Sequence, residues 1–107
     1  MNEREQTVRL WFDMWLQAED RGITSIFAPD CIYTESWGPE YHSAAQVKHW
    51  FEEWNTRGRV LVWDILRFFH AENHTAVEWR FKNQMLDGRV EEFDGFSLIR
   101  WTADGKI

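Results

Sequence analysis

Cysteine is nearly absent from this chain. Cys31 is the only one in 107 residues, so no internal disulfide can form, and in the strand-like run CIYTE it reads as a buried, inert thiol. Proline is scarce too, with two in all, and no Pro-, Gly- or Ser-rich stretch occurs where a second domain could be joined on; a single domain over residues 1–107 is expected. No apolar run approaches the ~20 residues a membrane span requires, and the opening MNEREQTVRL has no apolar signal region. A cytoplasmic protein without a membrane partner is therefore expected. Basic residues are outnumbered, 12 Lys plus Arg against 18 Asp plus Glu, for a net charge of −6 without single-sign blocks. That balance gives no grip on phosphate backbones and argues against nucleic acid as a partner. Phosphate-cradling and dinucleotide-binding glycine loops are missing, and no serine sits in a strand-turn-helix elbow. The histidines His42, His49, His70 and His74 are scattered singly, without a second cysteine, so neither a metal nor another cofactor is indicated.

What the chain has in abundance is tryptophan, eight in all. Trp11/Trp15 and Trp50/Trp54 are each four apart, a spacing that puts both rings on one helix face, while Trp63, Trp79 and Trp101 fall in strand-like runs. Helices and sheet thus both send indoles toward a common interior. Such rings either fill a core or wall a pocket, and a buried indole N–H calls for a polar partner beside it.

The periodicity predicts a helix over Thr7 to Ala18, built on Val8, Trp11, Phe12, Trp15 and Leu16 and ending near Gly22. A short helical piece, Ser25 to Phe27 capped by Thr24, is stopped by Pro29 and Asp30 before a strand Cys31 to Glu35. Trp37, Gly38 and Pro39 read as a loop leading into Tyr41 and His42. Ser43 then caps a helix whose face is Val47, Trp50, Phe51 and Trp54, closed by Gly58. Three strands follow, Val60 to Phe69, Thr75 to Met85 and Val90 to Trp101, separated by turn signals. Helices first and an antiparallel meander afterwards give an α+β class. The turn Ala103-Asp104-Gly105 leads only to Lys106 and Ile107, so the returning strand is expected to be largely missing. The edge this leaves on the preceding strand would have to be covered otherwise, for example by a second subunit.

The order helix, short helix, F-A-P-D (27–30), strand, then Glu35-Ser36-Trp37-Gly38-Pro39-Glu40-Tyr41-His42 carries a resemblance. So do Val77-Glu78-Trp79 with Phe81, and Phe93-Asp94-Gly95-Phe96-Ser97-Leu98-Ile99 ahead of Asp104-Gly105-Lys106-Ile107. The chain resembles the nuclear transport factor 2-like superfamily, and within it the SnoaL-like branch. The resemblance implies a cone: a strongly bent antiparallel sheet wrapped around the N-terminal helices, with a pocket at its mouth and a homodimer through the outer sheet face. It implies much less about activity, because isomerases, dehydratases, epoxide hydrolases, polyketide cyclases and binding modules all use this fold. Compared with the ketosteroid isomerase branch, Glu35 falls at the position of the strand-end carboxylate base. Ser97 stands where the oxyanion-hole acid would be, and Trp11 or Phe12 where the tyrosine would be. Only the base is retained, so steroid isomerisation is not expected.

Glu35 is therefore the leading catalytic candidate, a carboxylate whose pKa apolar walls would raise toward a general base's working range. His42, just past the loop, could orient it, and Tyr33, two residues before it, shares its strand face. Strand parity puts Trp79 and Phe81 on one face of their strand and Glu78, a salt-bridge candidate, on the other. In the last strand Phe93, Gly95, Ser97, Ile99 and Trp101 share a face, with Gly95 either clearing space for a ligand or permitting a bulge. Without a bulge Asp94 points outward; with one it could join Glu35 in a proton-sharing pair. Parity leaves Asp64 undetermined. The expected ligand is an apolar small molecule walled by Trp11, Trp15, Tyr33, Trp37, Trp50, Trp79, Phe81 and Phe93. It is either turned over without a cofactor by Glu35, Ser97, His42 and Asp94, or simply bound by a non-catalytic or dimerising module.

Overall fold

The computed structural model describes residues 2–107. Helix α1 (Glu3–Gln17) begins four residues before the apolar periodicity does, because the Asn2 side chain accepts from the backbone N–H groups of Arg4 and Glu5. Glu3 and Glu5 in its first turn favour the same start by complementing the helix dipole. The buried Val8, Trp11, Phe12, Met14 and Trp15 form its inward stripe. Helix α2 (Ile23–Ile26) is capped by Asp20 rather than Thr24: Asp20 Oδ1 accepts from Gly22 and Ile23 N–H, each at 2.9 Å.

Strands β1 (Ile32–Thr34) and β2 (Glu40–His42) form a two-stranded antiparallel ribbon. In the sequence Tyr41 and His42, at the end of the 37–39 loop, have no element of their own; the register Tyr33↔Tyr41 makes them a strand, with Gly38 at φ 125° in the connection. Helix α3 (Ala44–Trp54) starts at Ser43, whose hydroxyl accepts from Gln46 N–H. Strands β3 (Gly58–His70), β4 (His74–Met85) and β5 (Val90–Arg100) form a curved antiparallel sheet in the order β3-β4-β5. No helix among the described residues is long and apolar enough to cross a membrane.

Two register irregularities in β3, between Val60 and Val62 and between Ile65 and Arg67, explain why simple alternation failed there. Each swings the strand by one residue. Val60, Trp63, Ile65 and Phe68 consequently all face the helices, opposite Asn83, Phe81, Trp79 and Val77 of β4. Val62, Asp64, Arg67 and Phe69 face outward, which settles Asp64. The β4–β5 register is unbroken, pairing Trp79 with Gly95 and Arg80 with Asp94. Gly95 is thus no bulge. A Cβ there would stand 2.6 Å from Cη2 of Trp79, so the space it clears is filled by that indole.

The core lies between the helices and the concave sheet face. Phe12 stacks on Trp63 with centroids 3.8 Å apart, and Trp15 meets Trp50, Phe51, Trp54 and Trp63. At the far end the fully buried Thr75 Oγ1 accepts from Trp101 Nε1 at 2.8 Å and lies 2.9 Å from His70 Nδ1. His70 Nε2 meets Glu5 of α1 at 2.8 Å, tying the helix to the β3–β4 hairpin. Beyond β5, Thr102 to Gly105 turns the chain back, and Ile107 exchanges backbone hydrogen bonds with Ile26 and Ala28.

Candidate functional site

Glu35 follows β1 directly. Its backbone N–H donates to Pro39 O at 2.9 Å and its carbonyl accepts from Gly38 N–H at 3.0 Å, so the tight connection fixes the side chain. Tyr41 Oη donates to Glu35 Oε1 at 2.8 Å, and Trp37 Nε1 donates to Oε2 at 2.6 Å. Both oxygens of this half-buried carboxylate thus hold a neutral donor, and no ion pair among the described residues includes it.

Aromatic rings continue inward from this point. Tyr41 stacks on Trp50 of α3 at 4.5 Å and 13°, and Tyr33 lies 5.1 Å from Trp50 and 6.1 Å from Trp11. Burial pushes the Tyr33 phenol up to about 12, with the Glu35 charge adding to the rise against a lowering bond from Trp11. Tyr41 is pushed up further, by desolvation first and then by its bond to Glu35. Both phenols therefore stay protonated near neutral pH, and Tyr41 donates its proton to Glu35.

The remaining expected site residues lie elsewhere. His42 faces away from Tyr41 by strand alternation and bonds Glu40 at 2.9 Å on the exposed side, so it does not orient Glu35. Asp94 faces outward and meets Arg80 at 3.3 Å, because no bulge flips it; the carboxylate pair does not form. Glu78 is the ion-pair residue it was expected to be, bonded to Arg67 at 2.6 Å. Ser97 lies on the concave face as parity required, where its Oγ accepts from Trp79 Nε1 at 2.9 Å.

The expected walls divide into three sets. Trp11 and Trp15 are core residues, 3% exposed. Tyr33 and Trp50 flank Glu35, whereas Trp37 stands out at 76% exposure as a flap over the carboxylate rather than a wall. Trp79, Phe81 and Phe93 form a separate, partly open strip on the concave sheet face. The rings pack on one another. Two surface depressions, of about 550 Å³ between α1 and β3 and about 240 Å³ beside the Trp101–Gly105 turn, are lined by none of these walls. Inside the core, the indole N–H groups of Trp15 and Trp63 and the Asn83 Oδ1 have no protein partner. No group of three potential metal ligands occurs among the described residues.

Tyr41 is the site residue that sequence reading missed. Its signal was present in the pattern Tyr33-x-Glu35…Tyr41, which puts all three on one face once Ser36 to Pro39 is recognised as a hairpin connection.

Solved structures share this architecture. A nuclear transport factor 2-like protein from Burkholderia pseudomallei K96243 superposes with a TM-score of 0.78 at 19% identity, covering 99% of this chain and 86% of that one. One from Exiguobacterium sp. 255-15 gives 0.78 at 20%, over 94% and 90% of the two chains. A steroid delta-isomerase from Pseudomonas aeruginosa gives 0.69 at 17%, over 99% and 74%. At these identities the likeness concerns the fold. No curated protein matches the chain. The SnoaL-like domain family matches residues 8–107, nearly the whole sequence, and the chain belongs to that family.

Proposed function

We propose that this SnoaL-like domain binds a small, largely apolar molecule at the aromatic site around Glu35, in the cytoplasm and without a cofactor. Its chemistry is proton transfer at a carbonyl compound, of the isomerase, cyclase or dehydratase kind. The observation that carries the reading is Glu35 itself: a carboxylate oriented by Tyr41 and Trp37, unpaired with any cation among the described residues, at the outer end of a ring network running through Trp50 to Trp15. An oriented carboxylate can take a proton from carbon next to a carbonyl, and a phenol held protonated, such as Tyr33, can donate to the oxygen that gains charge. Ser97 is the weaker donor, being already bonded to Trp79.

The test is a thermal-shift screen of wild type and Glu35→Gln against aromatic, steroid-like and polyketide-like carbonyl compounds, since a ligand of the folded state raises the apparent Tm. Binding by both proteins with turnover only in the wild type is expected. Binding without turnover in either would favour a second reading, that of a non-catalytic module. That reading draws support from the outer sheet face, where Phe96 and Leu98 stand 65% and 76% exposed, as a homodimer surface would require.

A further inference from the structure

Resting on the reading of Glu35 as a ligand site, we infer that the group it recognises is a cation: an alkyl-substituted ammonium, seated on the open face of Trp37 beside the Glu35 carboxylate. The uncompensated charge is the first ground. Arg57, the cation that senses Tyr41, is engaged with Glu53 at 2.8 Å, and Lys48 and His42 are bonded to Asp20 and Glu40. The two groups bonded to Glu35 are an indole N–H and a phenol O–H, which orient the carboxylate and leave its charge in place. Burial and the Glu35 charge together keep Tyr41 protonated, so the pair does not relieve itself by shifting a proton.

The rings are the second ground. Trp37 is among the most exposed large hydrophobic residues of the molecule, yet it is held by its N–H against the carboxylate, which leaves the ring face open beside a negative charge. An indole face attracts cations through its quadrupole, and a carboxylate next to it supplies the counter-charge. Tyr41, stacked on Trp50, holds the other carboxylate oxygen and fixes the charge beside the open indole. A bare metal ion is a poor match, because a single carboxylate with aromatic neighbours offers too few oxygen ligands and no three-ligand cluster occurs among the described residues. Anionic ligands would meet Glu35 and a chain of net charge −6.

The experiment compares choline and tetramethylammonium with dimethylbutanol, the neutral carbon isostere of choline. Each is titrated into the wild-type protein while the indole N–H resonance of Trp37 is followed by NMR. Both ammonium ions are expected to shift that resonance and to bind on the order of tenfold more tightly than the neutral isostere. Glu35→Gln should remove that preference, and Trp37→Ala, whose binding is read by titration calorimetry because it lacks the reporting indole, should weaken both classes. Equal or tighter binding of the neutral isostere at the same resonance would overturn the cation assignment while leaving Glu35 as an apolar-ligand site. If neither class moves the Trp37 signal, and the carbonyl compounds also fail, both readings fall. The isostere comparison uses wild type alone, so a folding defect in a variant cannot obscure it.

Discussion

Tryptophan serves two opposite ends here, and burial separates them. Trp15 touches five other rings in the core, so Trp15→Ala should destabilise the domain by about 3–5 kcal/mol in denaturant unfolding. Trp37→Ala should shift stability by less than about 0.5 kcal/mol, because its ring is mostly in solvent. A comparable loss at both positions would mean that Trp37 is packed rather than open, which would undercut the ligand site. Gly95 gives a sharper case. A methyl group there would overlap the Trp79 ring, so Gly95→Ala should cost about 1–3 kcal/mol and disturb the Trp79–Ser97 bond, visible as a shift of the Trp79 indole signal. The inward face of Gly95 and Ser97 was legible from alternation along an unbroken strand. That Gly95 makes room for Trp79 rather than for a ligand was not, because the cross-strand neighbour depends on register.

Elements whose capping groups sit in their own first turn were the easiest to read, and those that depend on a partner strand the hardest. The helical stripes of α1 and α3 and the three long strands follow directly from their periodicity. Strand β2 is three residues long and has meaning only opposite β1, so no local signal separates it from a loop. The β3 bulges were hidden for a related reason: both faces of that strand are apolar, and only pairing with β4 shows where the extra residues fall. Helix α2 owes its start to Asp20, three residues upstream, and that makes a pH prediction. Burial pushes the Asp20 carboxyl up, but the Ile23 and Gly22 N–H groups and the Lys48 ammonium outweigh it, so its pKa lies below the ordinary value. A depressed folded pKa contributes stability that is fully present above the unfolded value of about 3.9 and is lost as pH falls through the folded one. Asp20→Asn should therefore lower Tm at neutral pH, with the gap to wild type closing in the acid range below about pH 4. A gap that stays constant through that range would show that the side chain acts by hydrogen bonding alone.

At the scale of the whole molecule, the two faces of the sheet have different occupants. The concave face carries the helices and their rings, with Trp79, Phe81 and Phe93 left partly open at one end. The convex face carries alternating rows: Val62, Lys82 and Glu92; Asp64, Arg80 and Asp94; Arg67, Glu78 and Phe96; Phe69, Ala76 and Leu98. Two rows are braced by ion pairs, Arg80–Asp94 and Arg67–Glu78, and the apolar end holds Phe69, Phe96 and Leu98 in the open. A surface that mixes exposed aromatics with fixed charges suits a self-complementary contact, in which a two-fold axis sets the apolar end of one copy against its counterpart and the charged rows find opposite partners. The expected state is a homodimer at micromolar concentration by sedimentation velocity. Leu98→Asp should drive it to monomer with little change in the unfolding free energy of the monomer, since Leu98 packs against nothing in its own chain that solvent does not also reach. Because Glu35 lies on the β1–β2 ribbon and not on this face, the same variant should keep its ligand response at Trp37. A wild-type protein that sediments as a monomer, or a Leu98→Asp variant that remains dimeric, would remove the outer face as the contact surface.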